Sequence, residues 1–398
     1  MSILVPGVRL GVAQAGIKKP GKDDVALIEL APESTVAGVF TQNAFCAAPV
    51  QVAREQLSES DGAIRYWLIN TGNANAGTGD QGLQAARQSC ADLAQLVGVP
   101  EYAVMPFSTG VIGEPLPIDV LRASLPEALK DLNENGWERA ASAILTTDTR
   151  PKLASRQVEI DGTVVTLAGM AKGAGMICPN MATMLAYLVT DAVIAAPLLQ
   201  ELTQSAVSAS FNRITVDGDT STNDAVVAGA TGLSGVSITE EDANALDRFN
   251  TAFQDLCMEL AQGIIRDGEG ATKFVEIRVT GGRVSEECDC VGYTIAHSPL
   301  VKTALFASDP NWGRILAAIG RAGLVDLDVE GVTVSINDVL IAERGSRAAS
   351  YTEEQGQAAM APADLTLRID LGRGDASSVI WTTDFSYDYV KINAEYRT

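Results

Sequence analysis

The chain has 398 residues, of which 46% are hydrophobic and 20% are charged, as in a globular protein with a large core. Its net charge of −21 and the lack of a basic stripe argue against nucleic acid as a partner. The sequence contains no run of 18 apolar residues, so no membrane span is predicted. The first residues show no signal-peptide pattern, and we therefore expect a cytoplasmic protein.

Short strands and helices alternate along the chain. In the first part, strands are predicted over 25–31, 36–40, 64–70 and 102–110, and helices over 81–98, 117–131 and 136–146. A strand then runs into a Gly-rich turn over 165–176, a further strand starts at 184, and helices follow over 197–212 and 238–265. The remainder mixes strands with short helices. This alternation predicts a layered α/β sandwich, and no domain boundary is visible.

The single histidine, His297, limits the chemistry. A zinc site built on two or three histidines is excluded, and a Ser-His or Cys-His catalyst would depend on this one residue. In AHSPLVKTALF it is expected to begin the N-terminal turn of a helix. The six cysteines form no CxxC pair, which is typical of reduced thiols in a cytosol.

Two polar, Gly-rich stretches fail the usual tests for a ligand. NTGNANAGTGDQG (70–82) lacks the spacing of a dinucleotide-binding loop. VDGDTSTND (216–224) has Thr222 and Ala228 where a calcium loop needs Gly and Glu. We therefore predict no metal and no bound cofactor.

Two threonines follow or begin strands. In STGVIGE, Thr109-Gly110 either forms an ordinary turn or directs N–H donors at a ligand oxygen, as an oxyanion site requires. In PNMATML (179–185), Thr183 is either a residue suited to strands or a nucleophile. Cleavage of the Ala182–Thr183 bond would free the α-amine of Thr183, which has a reference pKa of about 8 and can act as a base.

Long motifs then identify a resemblance. The chain resembles the ArgJ family, the ornithine acetyltransferases (glutamate N-acetyltransferases) of arginine biosynthesis, nearly from end to end. The motifs that carry it are NTGNANAGTG, STGVIGEPLP, TTDTRPK, MAKGAGMICPNMATML, FNRITVDGDTSTND, RDGEGATK, SPLVKTALFASDPNWGRILAAIG and DYVKINAEYRT.

The resemblance implies a self-cleaving precursor with a layered αββα sandwich of the DmpA/ArgJ type. Cleavage between Ala182 and Thr183 would leave an α chain, 1–182, and a β chain, 183–398, of 398 − 182 = 216 residues, both parts of one interwoven fold. Thr183 would take the acetyl group from N2-acetyl-L-ornithine and pass it to L-glutamate through an acetyl-threonine ester.

The family's site residues are carried over position by position. The oxyanion donors correspond to Thr109 and Gly110. The substrate contacts correspond to Thr146, Lys172, Thr183, Glu269, Asn393 and Thr398. For Thr146 the motif TTDT offers three threonines, of which the first is chosen. Lys172 can hold a carboxylate and Glu269 an ammonium.

The resemblance also implies a heterotetramer of two α and two β chains. It favours a bifunctional enzyme that uses acetyl-CoA as a second acetyl donor, although no residue in the sequence decides this. One alternative is an amidohydrolase or aminopeptidase of the same fold, in which water accepts the acyl group. A second is a non-enzymatic ligand-binding module that remains a single uncut chain.

Overall fold

The computed structural model describes residues 4–178 and 184–396. The helices of these residues are α1 Ala48–Glu59, α2 Gly79–Val97, α3 Ile118–Asp131, α4 Trp137–Ala143, α5 Ala196–Ala209, α6 Ala243–Ile265, α7 Ser285–Ala296, α8 Pro299–Phe306, α9 Trp312–Gly320, α10 Glu353–Met360 and α11 Tyr387–Ala394. No helix within the described ranges has both the length and the hydropathy needed to cross a membrane.

The strands are β1 Val8–Ala13, β2 Val25–Leu30, β3 Thr35–Phe40, β4 Tyr66–Asn73, β5 Val104–Val111, β6 Lys152–Ile160, β7 Thr163–Lys172, β8 Leu185–Thr190, β9 Val193–Ile194, β10 Ile214–Thr215, β11 Ala225–Ala230, β12 Ser237–Ile238, β13 Phe274–Gly282, β14 Thr333–Ile336, β15 Val339–Glu343, β16 Ser346–Arg347, β17 Asp364–Asp370 and β18 Ala376–Thr383. The chain divides into two compact units. Unit 1 contains Met1–Asn212 and Asp219–Ile264, and unit 2 contains Arg213–Gly218 and Ile265–Thr398.

Unit 1 is built on two sheets, with strand orders β1-β2-β4-β5 and β3-β11-β8-β7-β6. The two sheets share one hydrophobic core, in which the ring of Trp67 on β4 lies 5.8 Å from that of Tyr187 on β8. Residues Val52, Cys90 and Leu125, from helices α1, α2 and α3, pack against the other face of the first sheet.

The second sheet of unit 1 is also covered by helices. Alternate residues of a strand point to opposite faces. On β7, Ala168 and Met170 belong to the shared core, whereas a Cβ at Gly169 would lie 3.0 Å from Leu260 of α6. Helix α5 packs on the same sheet, where Gln200 exchanges hydrogen bonds with the backbone of β3. The predicted αββα layering is therefore confirmed in this unit.

Unit 2 contains a seven-stranded sheet with the order β10-β18-β13-β17-β14-β15-β16. The sheet is mixed, since β13 pairs in parallel with β17 and antiparallel with β18. Its apolar residues form one core with helices α7 and α9, through side chains such as Val291, Ile295 and Ile319.

Two sequence predictions were wrong in detail. The helix predicted over 238–265 begins at Ala243, because Ile238 pairs in strand β12 and the Asp242 side chain accepts a hydrogen bond from the Ala245 N–H at 3.0 Å. His297 does not begin a helix. It is the C-cap of α7, and the next residue, Ser298, caps α8 with its side-chain oxygen. Strand β1, helix α1 and strand β6 were not predicted at all.

Candidate active site

The end of strand β5 carries Thr109 and Gly110. Strands β4 and β5 run parallel, with Gly72 opposite Gly110. At Gly110 φ is +136°, and a Cβ there would lie 2.2 Å from the carbonyl carbon of Gly72. Only glycine fits this conformation and this close backbone approach. Glycine at position 110 is thus dictated by the packing of two strand ends.

Lys172 ends strand β7 and joins two of the predicted site residues. Its Nζ donates to Thr109 Oγ1 at 3.2 Å and to Thr146 Oγ1 at 2.9 Å. Lys172 and Thr109 are each only 8% exposed. The structure therefore brings Thr109, Thr146 and Lys172 together, although the first and last are 63 residues apart.

A buried ion pair supports this cluster. Asp148 and Lys152 form a salt bridge with side chains 0% and 3% exposed. The Asp148 carboxylate also accepts from the N–H of Gly173 at 2.7 Å and from the N–H of Thr146 at 3.1 Å. Burial alone would raise the pKa of Asp148, but Lys172, Lys152 and the Gly173 N–H together hold that pKa well below its usual value. Asp148 therefore remains ionised beside Lys172.

Asp224 behaves in the opposite way. Complete burial raises the pKa of its carboxyl well above the usual value, against the effects of hydrogen bonds from the Met184 backbone and Ser221 and of the charge on Lys172. Its Oδ2 has no hydrogen-bond partner among the described residues. Asp224 lies beside the start of β8, where the Ala225 N–H donates to Met184 O at 3.1 Å.

Sequence reasoning missed Asp148, Lys152 and Asp224 as parts of this cluster. The first two lie in the motif TTDTRPK and the third in TSTND, so the signal was present. What the motifs could not supply was the balance between burial and neighbouring charges that shifts the two carboxyl pKa values in opposite directions.

Glu269 and Asn393 lie in unit 2 and contact each other. Asn393 Nδ2 donates to Glu269 Oε2 at 2.7 Å, and Glu269 is 6% exposed. The loop that carries Glu269 is held by Asp384, which accepts from the Thr272 N–H at 2.8 Å and from the Lys273 N–H at 2.9 Å. Ser386 Oγ donates to Gly270 O at 2.6 Å.

Lys302, on helix α8, is a fully buried amine in the same unit. Its Nζ donates to Thr382 Oγ1 at 2.9 Å and to the carbonyl oxygen of Thr383, and lies 4.6 Å from the ring centre of Phe385. Burial lowers the pKa of Lys302 to about 7, although the charges of Asp384 and Asp217 act to raise it.

The remaining predicted site residues, Ala182, Thr183 and Thr398, lie outside the described residues. In the described part of the chain, no group of three or more His, Cys, Asp or Glu side chains could hold a metal ion.

Comparison with known proteins decides the family. The family model described as the ArgJ family matches residues 9–398. This chain belongs to the ArgJ family. It is 58% identical over 395 residues to the arginine biosynthesis bifunctional protein ArgJ of Pseudomonas syringae pv. tomato, covering 99% of this chain and 97% of that protein. The corresponding ArgJ of Pseudomonas fluorescens is 57% identical over 395 residues, with the same coverage.

A solved ArgJ structure agrees with this assignment. The crystal structure of the arginine biosynthesis bifunctional protein ArgJ from Bacillus halodurans is 39% identical to this chain, with a TM-score of 0.51. The match covers 54% of this chain and 100% of that chain. The family resemblance inferred from the motifs is thereby confirmed.

Proposed function

We propose that this ArgJ-family protein is an acetyltransferase of arginine biosynthesis that moves the acetyl group of N2-acetyl-L-ornithine to L-glutamate. The products are L-ornithine and N-acetyl-L-glutamate. The observation that carries the proposal is the family match over residues 9–398, with relatives at 57–58% identity that are named as bifunctional proteins of arginine biosynthesis. The cluster of Lys172, Thr109 and Thr146 in unit 1 supports acyl transfer, but by itself it does not identify the acyl group as acetyl.

In this proposal the Thr183 hydroxyl first attacks the Ala182 carbonyl carbon, and the acyl group shifts from nitrogen to oxygen. Water then hydrolyses the resulting ester, giving an α chain, 1–182, and a β chain, 183–398, with a free Thr183 α-amine. The free α-amine of Thr183 then accepts the proton of the threonine hydroxyl as its oxygen attacks the acetyl carbonyl. The C–N bond breaks, the proton moves to the departing ornithine nitrogen, and an acetyl-threonine ester remains. The α-amine of glutamate attacks that ester and restores Thr183.

Thr109 is suited to the role of oxyanion donor. Its hydroxyl oxygen already accepts a hydrogen bond from Lys172 Nζ, so the hydroxyl hydrogen is directed elsewhere and can be donated to a developing oxyanion. The ammonium of Lys172 adds positive charge at the same place. The backbone N–H of Gly110 is the second proposed donor.

The proposed substrate contacts are Thr146, Lys172, Thr183, Glu269, Asn393 and Thr398. Both substrates carry an α-carboxylate, for which Lys172 is the proposed partner. Glu269 offers a buried carboxylate whose hydrogen-bond partner among the described residues is the neutral Asn393 amide. A negative charge held in this way suits the side-chain ammonium of ornithine.

Three further properties belong to the same proposal. The enzyme also acetylates glutamate from acetyl-CoA, as expected for a bifunctional family member. It assembles as two α and two β chains. It works in the cytoplasm, without a bound cofactor.

The proposal is tested by intact mass spectrometry and N-terminal sequencing of the purified protein, together with acetyl transfer assays. We expect a fragment that starts TMLAYLVT. Thr183→Ala should remain one chain and transfer no acetyl group, whereas Thr183→Ser, which keeps a hydroxyl, should retain part of both activities. An uncut chain that is fully active would overturn the mechanism. Loss of acetylornithine at the same rate with and without glutamate would favour the hydrolase instead.

A further inference from the structure

Lys18 lies in the loop between β1 and β2, and its backbone is fixed. Asp24, which is 0% exposed, accepts from the Ala15 N–H at 2.7 Å and from the Lys18 N–H at 3.0 Å. A Cβ at Gly72 would lie 2.8 Å from Lys18 Cα, so the loop packs directly on the residue that pairs with Gly110. Lys18 is therefore built into the same part of unit 1 as the proposed oxyanion donors.

The side chain of Lys18 reaches the substrate-contact cluster. Its Nζ donates to the carbonyl oxygen of Leu145 at 2.6 Å. The next residue, Thr146, accepts from Lys172 Nζ at 2.9 Å. Two ammonium groups thus bind two consecutive residues of one short segment.

Lys18 Nζ retains donors for a ligand. An ammonium group has three N–H donors. Among the described residues, Leu145 O is the one acceptor that Lys18 Nζ reaches. Two N–H groups therefore remain available.

The charges around Lys18 favour an anion. Burial lowers the pKa of Lys18, with further lowering by Lys22 and Lys172 and an opposing effect from Asp148. Lys152 already takes Asp148 as its direct ion-pair partner. A carboxylate of a ligand would relieve the repulsion between Lys18 and Lys172.

We propose that Lys18 binds the side-chain carboxylate of the acceptor glutamate and so selects that acceptor, an inference that rests on the function proposed above. Lys172 touches Thr109, so it lies beside the proposed reacting carbonyl, where either substrate brings its α-carboxylate. A second carboxylate exists only in glutamate. The ornithine side chain ends in an ammonium, which is no partner for Lys18 and for which Glu269 is the proposed contact.

The test uses the purified, processed enzyme and Lys18→Gln, whose amide can still donate to Leu145 O but carries no charge. In a ping-pong reaction, kcat/KM for acetylornithine reports the first half-reaction and kcat/KM for glutamate the second. We expect kcat/KM for glutamate to fall roughly 10- to 100-fold, as for loss of a charged hydrogen bond. kcat/KM for acetylornithine should stay within about twofold. The preference for glutamate over glutamine as acceptor should fall by a similar factor.

Lys19→Gln is the matched control, because it removes the same charge from an exposed neighbour. Lys18→Arg should restore most of the glutamate preference. The Lys18 proposal is overturned if Lys18→Gln behaves like Lys19→Gln, or if both half-reactions slow equally, which would indicate a contact to the shared α-carboxylate. Failure of the wild-type enzyme to transfer acetyl to glutamate would instead overturn the proposed function itself.

Discussion

Lys152 in unit 1 and Lys302 in unit 2 are both buried, and they have different kinds of partner. Lys152 in unit 1 forms a direct ion pair with Asp148, whose pKa is held well below its usual value. Lys302 in unit 2 contacts the neutral oxygens of Thr382 and Thr383, and burial lowers its pKa to about 7. For Lys302, neutral acceptors and the more distant charges of Asp384 and Asp217 do not offset the effect of burial.

This difference has consequences for the site residues in each unit. In unit 1, the Asp148 carboxylate supplies a fixed negative charge next to Lys172 over the whole physiological pH range. In unit 2, Lys302 binds the residues just before Asp384, and Asp384 holds the loop of Glu269. The contacts that hold the Glu269 loop in place therefore include Lys302, whose pKa is lowered to about 7.

The largest expected effect comes from breaking the buried ion pair. Asp148→Asn leaves the ammonium of Lys152 buried without its counter-ion, which typically costs about 3–5 kcal/mol of unfolding free energy. Urea denaturation measures the loss. The matched control is Glu55→Gln, which breaks an ion pair between side chains that are 55% and 49% exposed and should cost at most about 1 kcal/mol. Equal losses in the two variants would show that Asp148 does not stabilise Lys152.

Thr109→Val tests whether the same cluster serves catalysis. The variant keeps the shape of the side chain but removes the proposed oxyanion donor, so kcat should fall about 100- to 1,000-fold. Thr109→Ser, which keeps a hydroxyl, is the control and should recover most of the rate. Soluble yield and thermal unfolding should change little in either variant. A loss of soluble protein that parallels the loss of rate would argue for a structural role instead.

Much of the scaffold of this site was predictable from the sequence. Apolar alternation located strand β5 and therefore placed Thr109-Gly110 at a strand end, and the motif MAKGAGM located Lys172 at the end of another. The layered architecture followed from the regular alternation of short strands and helices. These features depend on local periodicity, which a single sequence displays.

The contacts and pKa shifts of the charged side chains were not predictable, because they depend on residues that are distant in the sequence. Lys18 and Leu145 are 127 residues apart, and the contact between them exists only in the folded chain. The opposite pKa shifts of Asp148 and Asp224 depend on how far neighbouring lysines and hydrogen bonds offset burial. The start of α6 was misplaced because pairing of Ile238 with Ile194 removes residues that could have been helical.

Lys302→Met tests the titrating amine of unit 2. In the folded protein the amine loses its proton near pH 7, whereas the unfolded chain keeps it to about 10.5. The unfolded state therefore binds more protons between these values, and wild-type stability should rise with pH across the window, by at most about 1.4 kcal/mol per pH unit. Below pH 7 this contribution should be flat.

The measurement is the unfolding free energy of wild type and Lys302→Met at pH 6, 7.5 and 9. The difference between the two proteins should shift in favour of wild type as the pH rises. Lys391→Met, which removes an exposed amine from the same unit, should show no such shift. Parallel curves for wild type and Lys302→Met would mean that the amine of Lys302 titrates normally.

The smallest effect is expected for Asn393→Ala. Asn393 Nδ2 donates both to Glu269 Oε2 at 2.7 Å and to Tyr389 O at 3.0 Å, and so fixes the direction of the Glu269 carboxylate. Because Asn393 is exposed, water can replace its hydrogen bond, and stability should change by less than about 0.5 kcal/mol. kcat/KM for acetylornithine should nevertheless fall by roughly 3- to 10-fold, since a carboxylate that rotates binds an ammonium less well. Lys391→Ala, on the same helix, should leave that value unchanged. If both variants lower it equally, helix α11 supports the site as a whole, and Asn393 does not orient Glu269.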